Sequence, residues 1–354
     1  MEKRINLLIE QFERLNIDCF VISDIRSVRY FSNFSGSNGL CFITDNEKYF
    51  ITDFRYQEQV KKEINDFEIL ISNEYLFDEL KKRDLIKNRK VGFEANRISF
   101  YDYKRLLEFI PEENFIPIYD IIDAMVSVKD DEEIENIKKA VEIGDKIFAE
   151  IISIMKSGIE EIELSAEISY WIKKYGGEKD AFDPIILSGK KSALPHGKPN
   201  RNKCKNGEFV LLDFGCVYNG YHSDMTRTVF LGNPDKEQFK MYDTVLEAQK
   251  KAIESVKEGI KCNELDSVAR NFITEKGFGE YFGHSLGHGI GLEIHEKPKI
   301  SQINDVPLLL KNVVTIEPGI YIPDVGGVRI EDDVVVLKNG CEILTKSPKE
   351  LICL

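Results

Sequence analysis

One short turn constrains the fold of this chain more than any other feature: the dipeptide Asn219-Gly220, which separates two apolar segments. Asn-Gly in this setting predicts a β-hairpin with a two-residue loop, which determines which residues face each other. In that register Asp213 is opposite Thr226, and Asp224 lies at the diagonal position on the same face. Acids in a hairpin loop are usually solvated. Because the run Phe209–Leu212 predicts a buried strand, however, these two like charges are costly unless a cation neutralises them, which favours metal ligands.

Two segments nearer the carboxyl terminus supply further acids. Glu317 follows four β-forming residues and precedes Pro318, which suits the end of a strand. Arg329 and Glu331 are two residues apart in the predicted strand Val328–Leu337, so they share one of its faces. An isolated Arg–Glu pair is usually a surface ion pair. The apolar residues around this pair predict burial instead and favour a functional role.

Three of the five histidines lie within the glycine-rich segment Glu280–Glu296: His284, His288 and His295. Histidines at positions i and i+4 of a helix can share a metal. The alternating glycines of this segment would each cost about 1 kcal/mol inside a helix, so we predict a glycine-lined turn, close to a ligand, that leads into a strand over 292–295. A nucleotide-binding loop is disfavoured because no strand precedes the glycines and no helix follows them. Two or three of these imidazoles are predicted to be metal-binding or catalytic.

His196 lies in a separate loop, Leu-Pro-His-Gly, bounded by proline and glycine. The preceding run Gly-Lys-Lys-Ser superficially resembles a phosphate-binding loop but lacks the required earlier glycine. An imidazole in such a loop is as readily a surface group as a functional one, so the loop alone does not decide its role.

The acids and one histidine together form a candidate ligand set. Its members are Asp213, Asp224, His288, Glu317 and Glu331. Four carboxylates balance the charge of two divalent cations per chain. Oxygen ligands with a single nitrogen favour Mn²⁺, with Co²⁺, Fe²⁺ or Zn²⁺ as alternatives. Two such ions about 3.5–4 Å apart can bridge a hydroxide and polarise a carbonyl group, which is an arrangement for hydrolysis.

The length of 354 residues predicts two domains, an α/β domain over residues 1–125 and an α+β domain over residues 126–354. The second begins with a long helix capped by Asp130 or Asp131, and it contains all the histidines. A net charge of −13 argues against nucleic acid and anionic membranes as partners. The chain starts with an amphipathic helix rather than a signal peptide, and no apolar run could span a bilayer. We therefore expect a soluble, cytoplasmic protein.

Six motifs follow one another along the chain. They are Leu-Pro-His196-Gly, Leu-Asp213-Phe-Gly, Ser-Asp224-Met-Thr-Arg-Thr, Gly-His288-Gly-Ile-Gly-Leu-Glu-Ile-His295-Glu, Ile-Glu317-Pro-Gly-Ile-Tyr and Val-Arg329-Ile-Glu331-Asp. Together they resemble the creatinase/aminopeptidase P/prolidase family of dinuclear metallopeptidases, and the resemblance extends over nearly the whole chain. It implies a creatinase-like amino-terminal α/β domain followed by a catalytic domain with the pita-bread fold.

The resemblance also implies a role for each site residue. The five residues of the candidate ligand set are implied to bind the metals, and Glu317 is implied to act additionally as the acid/base that carries the proton of the attacking water. His196, His284 and His295 are implied to bind substrate and to stabilise the tetrahedral intermediate. Arg329 is implied to steady the site beside the last acidic ligand.

The chain differs from many relatives at Lys299, where they carry an arginine that can grip a substrate carboxylate through two hydrogen bonds. We predict that Lys299 binds substrate together with His196 and His295. Because lysine offers only a point charge, strict recognition of dipeptides is disfavoured, and we expect an Xaa-Pro aminopeptidase, which removes the residue before a proline from proline-containing peptides. The alternative is an Xaa-Pro dipeptidase, or prolidase, restricted to dipeptides. The resemblance also implies a homodimer.

Other members of the same fold fit less well. The first domain is not expected in a methionine aminopeptidase. Creatinase-type amidinohydrolases and non-catalytic peptide-binding modules, which are the remote alternative, lack the metal ligands.

Overall fold

Two structural units succeed each other along the chain, and each has its own sheets and hydrophobic core. In the computed structural model, which describes residues 2–354, the division falls between Val126 and Ser127. No helix within these residues has the length and apolar character needed to cross a membrane.

The first unit is built around a six-stranded mixed sheet with the strand order β4-β3-β2-β1-β5-β6. The strands are β1 Cys19–Ile22, β2 Gly39–Thr44, β3 Lys48–Asp53, β4 Glu68–Ser72, β5 Val91–Glu94 and β6 Phe115–Ile118. The helices are α1 Glu2–Ile9, α2 Phe12–Leu15, α3 Ile25–Ser32, α4 Gln57–Glu63, α5 Leu76–Lys82, α6 Phe100–Leu106 and α7 Ile121–Ser127. All residues of the central strands β1, β2 and β5 are buried, as expected for strands covered on both faces.

The second unit contributes four longer helices. They are α8 Asp131–Ile154, α9 Glu161–Lys174, α10 Lys236–Ser255 and α11 Cys262–Glu275. Asp130 caps α8 through a reciprocal pair of hydrogen bonds with Glu133, so the predicted start of this helix is confirmed. The apolar faces of α8 and α9 share one core with β8, β9 and β12, whereas α10 and α11 share another with β15–β18, strands whose bounds follow.

Thirteen strands in four sheets complete this unit. They are β7 Lys179–Asp180, β8 Ile185–Ser188, β9 Glu208–Phe214, β10 Cys216–Tyr218, β11 Tyr221–His222, β12 Met225–Leu231, β13 Gly287–Gly289, β14 Glu296–Ile300, β15 Val313–Ile316, β16 Gly319–Ile322, β17 Gly326–Arg329, β18 Asp332–Leu337 and β19 Gly340–Ile343. The sheet orders are β11-β10-β7, β12-β9-β8, β14-β13-β15-β18-β19 and β16-β17.

The structure corrects two predicted strands. The segment predicted as a strand over 292–295 is a loop between β13 and β14, because its Glu293 amide donates to the carboxylate of Glu296 rather than to a neighbouring strand. The predicted strand Val328–Leu337 is interrupted, because the amide of Glu331 donates to the carbonyl of Thr226 at 3.1 Å. This interruption separates β17 from β18 and places Glu331 between them.

Two of the alternating glycines lie against neighbouring backbone. A Cβ atom at Gly287 would lie 2.0 Å from the carbonyl oxygen of Thr315, and one at Gly289 would lie 2.3 Å from that of Lys297. These glycines therefore let the backbones of the two neighbouring strands approach β13.

Candidate metal centre

The hairpin predicted from Asn219-Gly220 positions the first two acids. Both turn residues have positive φ angles, as a two-residue hairpin loop of this type requires. Beyond the turn, β9 and β12 pair in the predicted register, with Asp213 opposite Thr226. Asp224 immediately precedes β12, and both acids are buried, with exposed fractions of 6% and 5%. The predicted register of the hairpin is thus confirmed.

The other candidate ligands come from three adjacent strands of one sheet. His288 is the central residue of β13, Glu317 follows the last residue of β15, and Glu331 precedes the first residue of β18. Because β15 pairs with both β13 and β18, the side chains converge. One ligand atom each from Asp224, His288 and Glu331 lie within 4.8 Å of one another.

His288 is in the form that binds metals. Its Nδ1 lies 3.0 Å from the carbonyl oxygen of Gly289, to which it donates, so Nε2 carries the lone pair. That Nε2 lies 3.4 Å from Oε1 of Glu317 and 3.7 Å from Oδ2 of Asp224. Although Nε2 faces two carboxyl groups, burial lowers the pKa of His288 to about 4, so the ring is neutral near pH 7.

The carboxyl groups crowd one another in a buried place. Burial, together with the charges of Glu331 and Asp213, raises the pKa of Asp224 well above its usual value. Burial and the charge of Glu331 do the same to Glu317, whereas burial and the charge of Asp213 raise the pKa of Glu331 to about 8. Within residues 2–354, Oδ1 of Asp213 and Oδ1 of Asp224 have no hydrogen-bond partner. Unpartnered buried carboxylate oxygens beside a neutral imidazole fit divalent cations as the missing partners.

A second layer of polar residues orients the acids. The hydroxyl of Thr226 donates to Oε2 of Glu331 at 2.6 Å and accepts from Nε of Arg329 at 3.0 Å. Arg329 also donates from Nη2 to Oδ2 of Asp213. The backbone amide of Asp224 donates to Oδ2 of the buried Asp333 at 3.0 Å. Such contacts set the orientation of metal ligands.

His284 is engaged through both ring nitrogens. Its Nδ1 donates to the carbonyl of Ser285 at 2.8 Å, and its Nε2 lies 3.0 Å from the hydroxyl of Tyr321. Because Arg329 donates to that hydroxyl at 2.6 Å, Tyr321 donates its own proton to His284. Burial and the charge of Arg329 lower the pKa of His284 to about 3. In this arrangement His284 supports the centre through Tyr321.

The remaining predicted site residues lie at the exposed edge of the centre. The rings of His288 and His295 meet edge to face, with centroids 4.5 Å apart. Burial lowers the pKa of His295, with smaller contributions from His196 and Lys299, which therefore both lie near His295. Lys299 is directly opposite His288 in the β13/β14 pair.

Sequence reasoning assigned no role to Thr226, Tyr321 or Asp333. Each lies within a few residues of a candidate ligand, so the sequence places it near the metal centre. Its hydrogen bonds, however, depend on strands that pair only in the folded chain.

Comparison with known proteins assigns both units to described families. Residues 4–127 match the creatinase/prolidase N-terminal domain, and residues 135–338 match metallopeptidase family M24. A curated Xaa-Pro dipeptidase of Pyrococcus horikoshii is 41% identical over 99% of both chains. A solved Xaa-Pro dipeptidase from Bacillus anthracis has a TM-score of 0.96 and 43% identity, covering 100% of this chain and 99% of that one. A solved X-Pro aminopeptidase from Thermotoga maritima has a TM-score of 0.92 and 43% identity, covering 99% of this chain and 100% of that one.

Proposed function

The chain belongs to metallopeptidase family M24, and we propose that it is an Xaa-Pro dipeptidase, or prolidase, which hydrolyses the bond between an amino-terminal residue and a following proline. As a member of that family it is a hydrolase that uses divalent metal ions. We further propose that each chain binds two ions, and that these are Mn²⁺ in preference to Co²⁺, Fe²⁺ or Zn²⁺. We also propose a homodimer, which light scattering of the purified protein checks.

The dipeptidase fits the relatives better than the aminopeptidase that the sequence motifs favour. The curated relatives at about 41% identity from two Pyrococcus species are Xaa-Pro dipeptidases, as is the solved relative from Bacillus anthracis. The solved aminopeptidase from Thermotoga maritima has the same 43% identity as that last structure, so aminopeptidase activity is the second candidate.

Although the residue type of Lys299 favours the aminopeptidase, its position supports a limit of two residues. Lys299 lies directly opposite the candidate ligand His288 in an antiparallel strand pair, where Cα atoms are about 4.5–5.5 Å apart. A cation so close to the reacting centre attracts the carboxylate of a proline that directly follows the scissile bond. A longer peptide has its carboxylate further from this position.

The residues of the centre divide the chemistry among them. Divalent cations would be held by Asp213, Asp224, His288, Glu317 and Glu331. When bound, they would supply Lewis acidity towards the scissile carbonyl and lower the pKa of water. Glu317 takes up the proton of the attacking water and returns it to the prolyl nitrogen.

The exposed imidazoles act on the substrate. His295 and His196 lie at the edge of the centre and donate hydrogen bonds to the oxygen that becomes negative during attack. Arg329 and Tyr321 hold Asp213 and His284 in place through the hydrogen bonds described above. The bond to proline has no N–H, so a site that binds substrate through metals and imidazoles does not depend on strand pairing with that group.

Comparing three substrates tests the proposal: Ala-Pro, its carboxamide Ala-Pro-NH₂ and the tripeptide Ala-Pro-Ala, each with Mn²⁺. A hydrogen bond to a charged group is worth about 1.5–3 kcal/mol, so kcat/KM for Ala-Pro should exceed that for the other two by roughly 10- to 100-fold. Equal or faster cleavage of the tripeptide would establish the aminopeptidase instead. If the metal-loaded protein cleaved none of the three, the Xaa-Pro assignment would be wrong.

A further inference from the structure

A buried ion pair joins the start of the second unit to the loop that carries His295. Nζ of Lys129 lies 2.6 Å from Oε2 of Glu296, and each side chain is only 1% exposed. Burying two charges is costly, and the cost is offset only when the geometry and the other hydrogen bonds of both groups are good. Stability alone therefore does not account for such a pair.

Glu296 closes the loop with its other oxygen. Its Oε1 accepts a hydrogen bond from the amide of Glu293 at 3.1 Å, which folds residues 291–296 back on themselves. The pair also packs against the loop backbone: a Cβ atom at Gly291 would lie 2.8 Å from Oε2 of Glu296 and 2.9 Å from Cε of Lys129. The ion pair thus packs directly against the backbone of this loop.

Lys129 is itself fixed to the segment that leads into β15. Its amide donates to the carbonyl of Lys311 at 3.1 Å, and Nδ2 of Asn312 donates to the carbonyl of Ser127 at 2.8 Å. β15 begins at the next residue and ends immediately before Glu317. The lysine therefore ties the His295 loop to the strand that carries the candidate acid/base.

His222 holds the same loop from the hairpin. Its backbone amide donates to the carbonyl of Gly291 at 2.7 Å, and its Nδ1 donates to the same oxygen at 3.0 Å. His222 lies two residues before Asp224, so this contact ties the loop to the strand segment of a candidate metal ligand. Two segments therefore contact the loop: the one that leads through β15 to Glu317, and the one that leads to Asp224.

We propose that Lys129 and Glu296 are positioning residues for His295: their buried ion pair holds the loop 291–296 so that the exposed imidazole stays beside the metal centre. Glu296 directly follows His295, so a shift of the carboxylate moves the imidazole with it. This inference rests on the proposed function, because positioning matters only if His295 acts on a substrate.

A double-mutant cycle tests whether Lys129 acts through His295. Lys129→Met removes the ammonium group but keeps an unbranched side chain of similar length. Since a displacement of about 1 Å can cost roughly 100-fold in rate, we expect kcat/KM for Ala-Pro to fall by about 10- to 100-fold, mainly through kcat. In a His295→Ala background the same substitution should change kcat/KM by less than about twofold. Equal losses in both backgrounds would overturn the proposal.

Hydrogen–deuterium exchange of the metal-loaded protein gives a readout that needs no substrate. Lys129→Met should speed exchange of the amides of residues 291–296, while α8 keeps its protection. Lys129→Arg, which preserves the charge, should restore protection and part of kcat. The matched control is Lys311→Met, because the ion pair of Lys311 with Asp131 is exposed, and it should change neither quantity. Unchanged exchange of the loop in Lys129→Met would refute the proposal even if the wild type cleaved no peptide.

A double variant covers the case in which Lys129→Met alone does not fold. Lys129→Met/Glu296→Leu replaces the pair with apolar side chains, which proteins often tolerate well. We expect it to fold and bind metal, yet to retain fast loop exchange and low kcat, because the Glu293 amide has lost its acceptor. If its exchange and kcat matched the wild type, the pair would only fill space and the proposal would be wrong.

Discussion

The hydroxyl of Thr226 donates a 2.6 Å hydrogen bond to Oε2 of Glu331 and accepts one of 3.0 Å from Nε of Arg329. Thr226 is completely buried and lies opposite Asp213 in the sheet. One hydroxyl therefore links the hairpin that carries two candidate ligands to the segment that carries another. Removing this hydroxyl should therefore disturb the orientation of Glu331.

Thr226→Val should weaken metal binding while preserving the fold. Valine keeps the shape but removes the hydroxyl that donates to Oε2 of Glu331 and accepts from Nε of Arg329. Loss of such an orienting contact typically costs about 10- to 100-fold in metal affinity, which Mn²⁺ titration calorimetry measures. Thr244→Val is the matched control, since this buried threonine bonds only within α10 to the carbonyl of Lys240 among the contacts described. Equal affinity in both variants would show that Thr226 does not orient Glu331.

Asp224→Asn should abolish the stabilisation by metal without destabilising the metal-free protein. Burial and neighbouring acids raise the pKa of Asp224, so its charge is unfavourable when no cation is present. Wild-type protein with Mn²⁺ at 100 times Kd should gain about 2.7 kcal/mol of stability, seen as a higher Tm, whereas the variant should gain nothing. Asp305→Asn, at an exposed loop position, should behave like the wild type. A variant that still bound its full complement of metal, by elemental analysis, would remove Asp224 from the ligand set.

Without metal, stability should fall as the pH rises from about 6.5 to about 8.5. The folded-state pKa of Glu331, about 8, lies above its usual 4.5, so the stabilisation that it contributes in protonated form is lost as the pH rises through 8. The lowered pKa values of His284 and His288, about 3 and about 4, act in the opposite direction, but only below pH 6.5.

Adding metal distinguishes the contribution of Glu331 to stability from that of other groups that titrate in the same pH range. Glu94 in the first unit has a pKa of about 7, caused mainly by burial, so it adds a fall in stability that metal does not alter. Saturating Mn²⁺ should remove the part due to the centre, because metal keeps its carboxylates ionised. Urea unfolding between pH 6.5 and 8.5, with EDTA or with Mn²⁺, measures both parts. If the free energy of unfolding changed with pH equally in EDTA and in Mn²⁺, the assigned metal centre would be wrong.

Lys299→Ala should impair dipeptide cleavage selectively. If Lys299 binds the carboxylate of the prolyl residue, kcat/KM for Ala-Pro should fall by roughly 10- to 100-fold, whereas cleavage of Ala-Pro-NH₂ should hardly change. Lys299→Arg should keep or improve the preference, because arginine offers two parallel hydrogen bonds. Lys338→Ala, at an exposed position after β18, serves as the control. A parallel loss on the acid and the amide would exclude a carboxylate contact.

Local sequence patterns predicted much of the candidate site. Asn219-Gly220 was enough to predict that Asp213 faces Thr226, because a two-residue loop leaves one register. The acidic start of the second domain predicted a helix cap at Asp130 or Asp131, and Asp130 caps α8. Strand β15, Val313–Ile316, coincides with the four β-forming residues that precede Glu317.

Patterns failed where a contact from elsewhere in the chain overrode them. Half of the residues in the run Val328–Leu337 are β-branched. The run nevertheless breaks at Glu331, because Thr226, 105 residues earlier, accepts a hydrogen bond from its amide and donates one to its carboxylate. Residues 292–295 form a loop because Glu296 accepts the amide of Glu293, an arrangement that the buried ammonium of Lys129 makes tolerable.

The sequence by itself thus determined the local elements, the identities of the candidate ligands and the kind of chemistry they support. Only the tertiary structure decided which polar residues hold those ligands, because their partners lie far away in sequence. Lys129 and Glu296 are 167 residues apart, and an isolated lysine beside an acidic run predicts a solvated surface. Burial is a property of the assembled core: it raises the pKa of crowded acids, keeps imidazoles neutral and makes a single ion pair able to fix a loop.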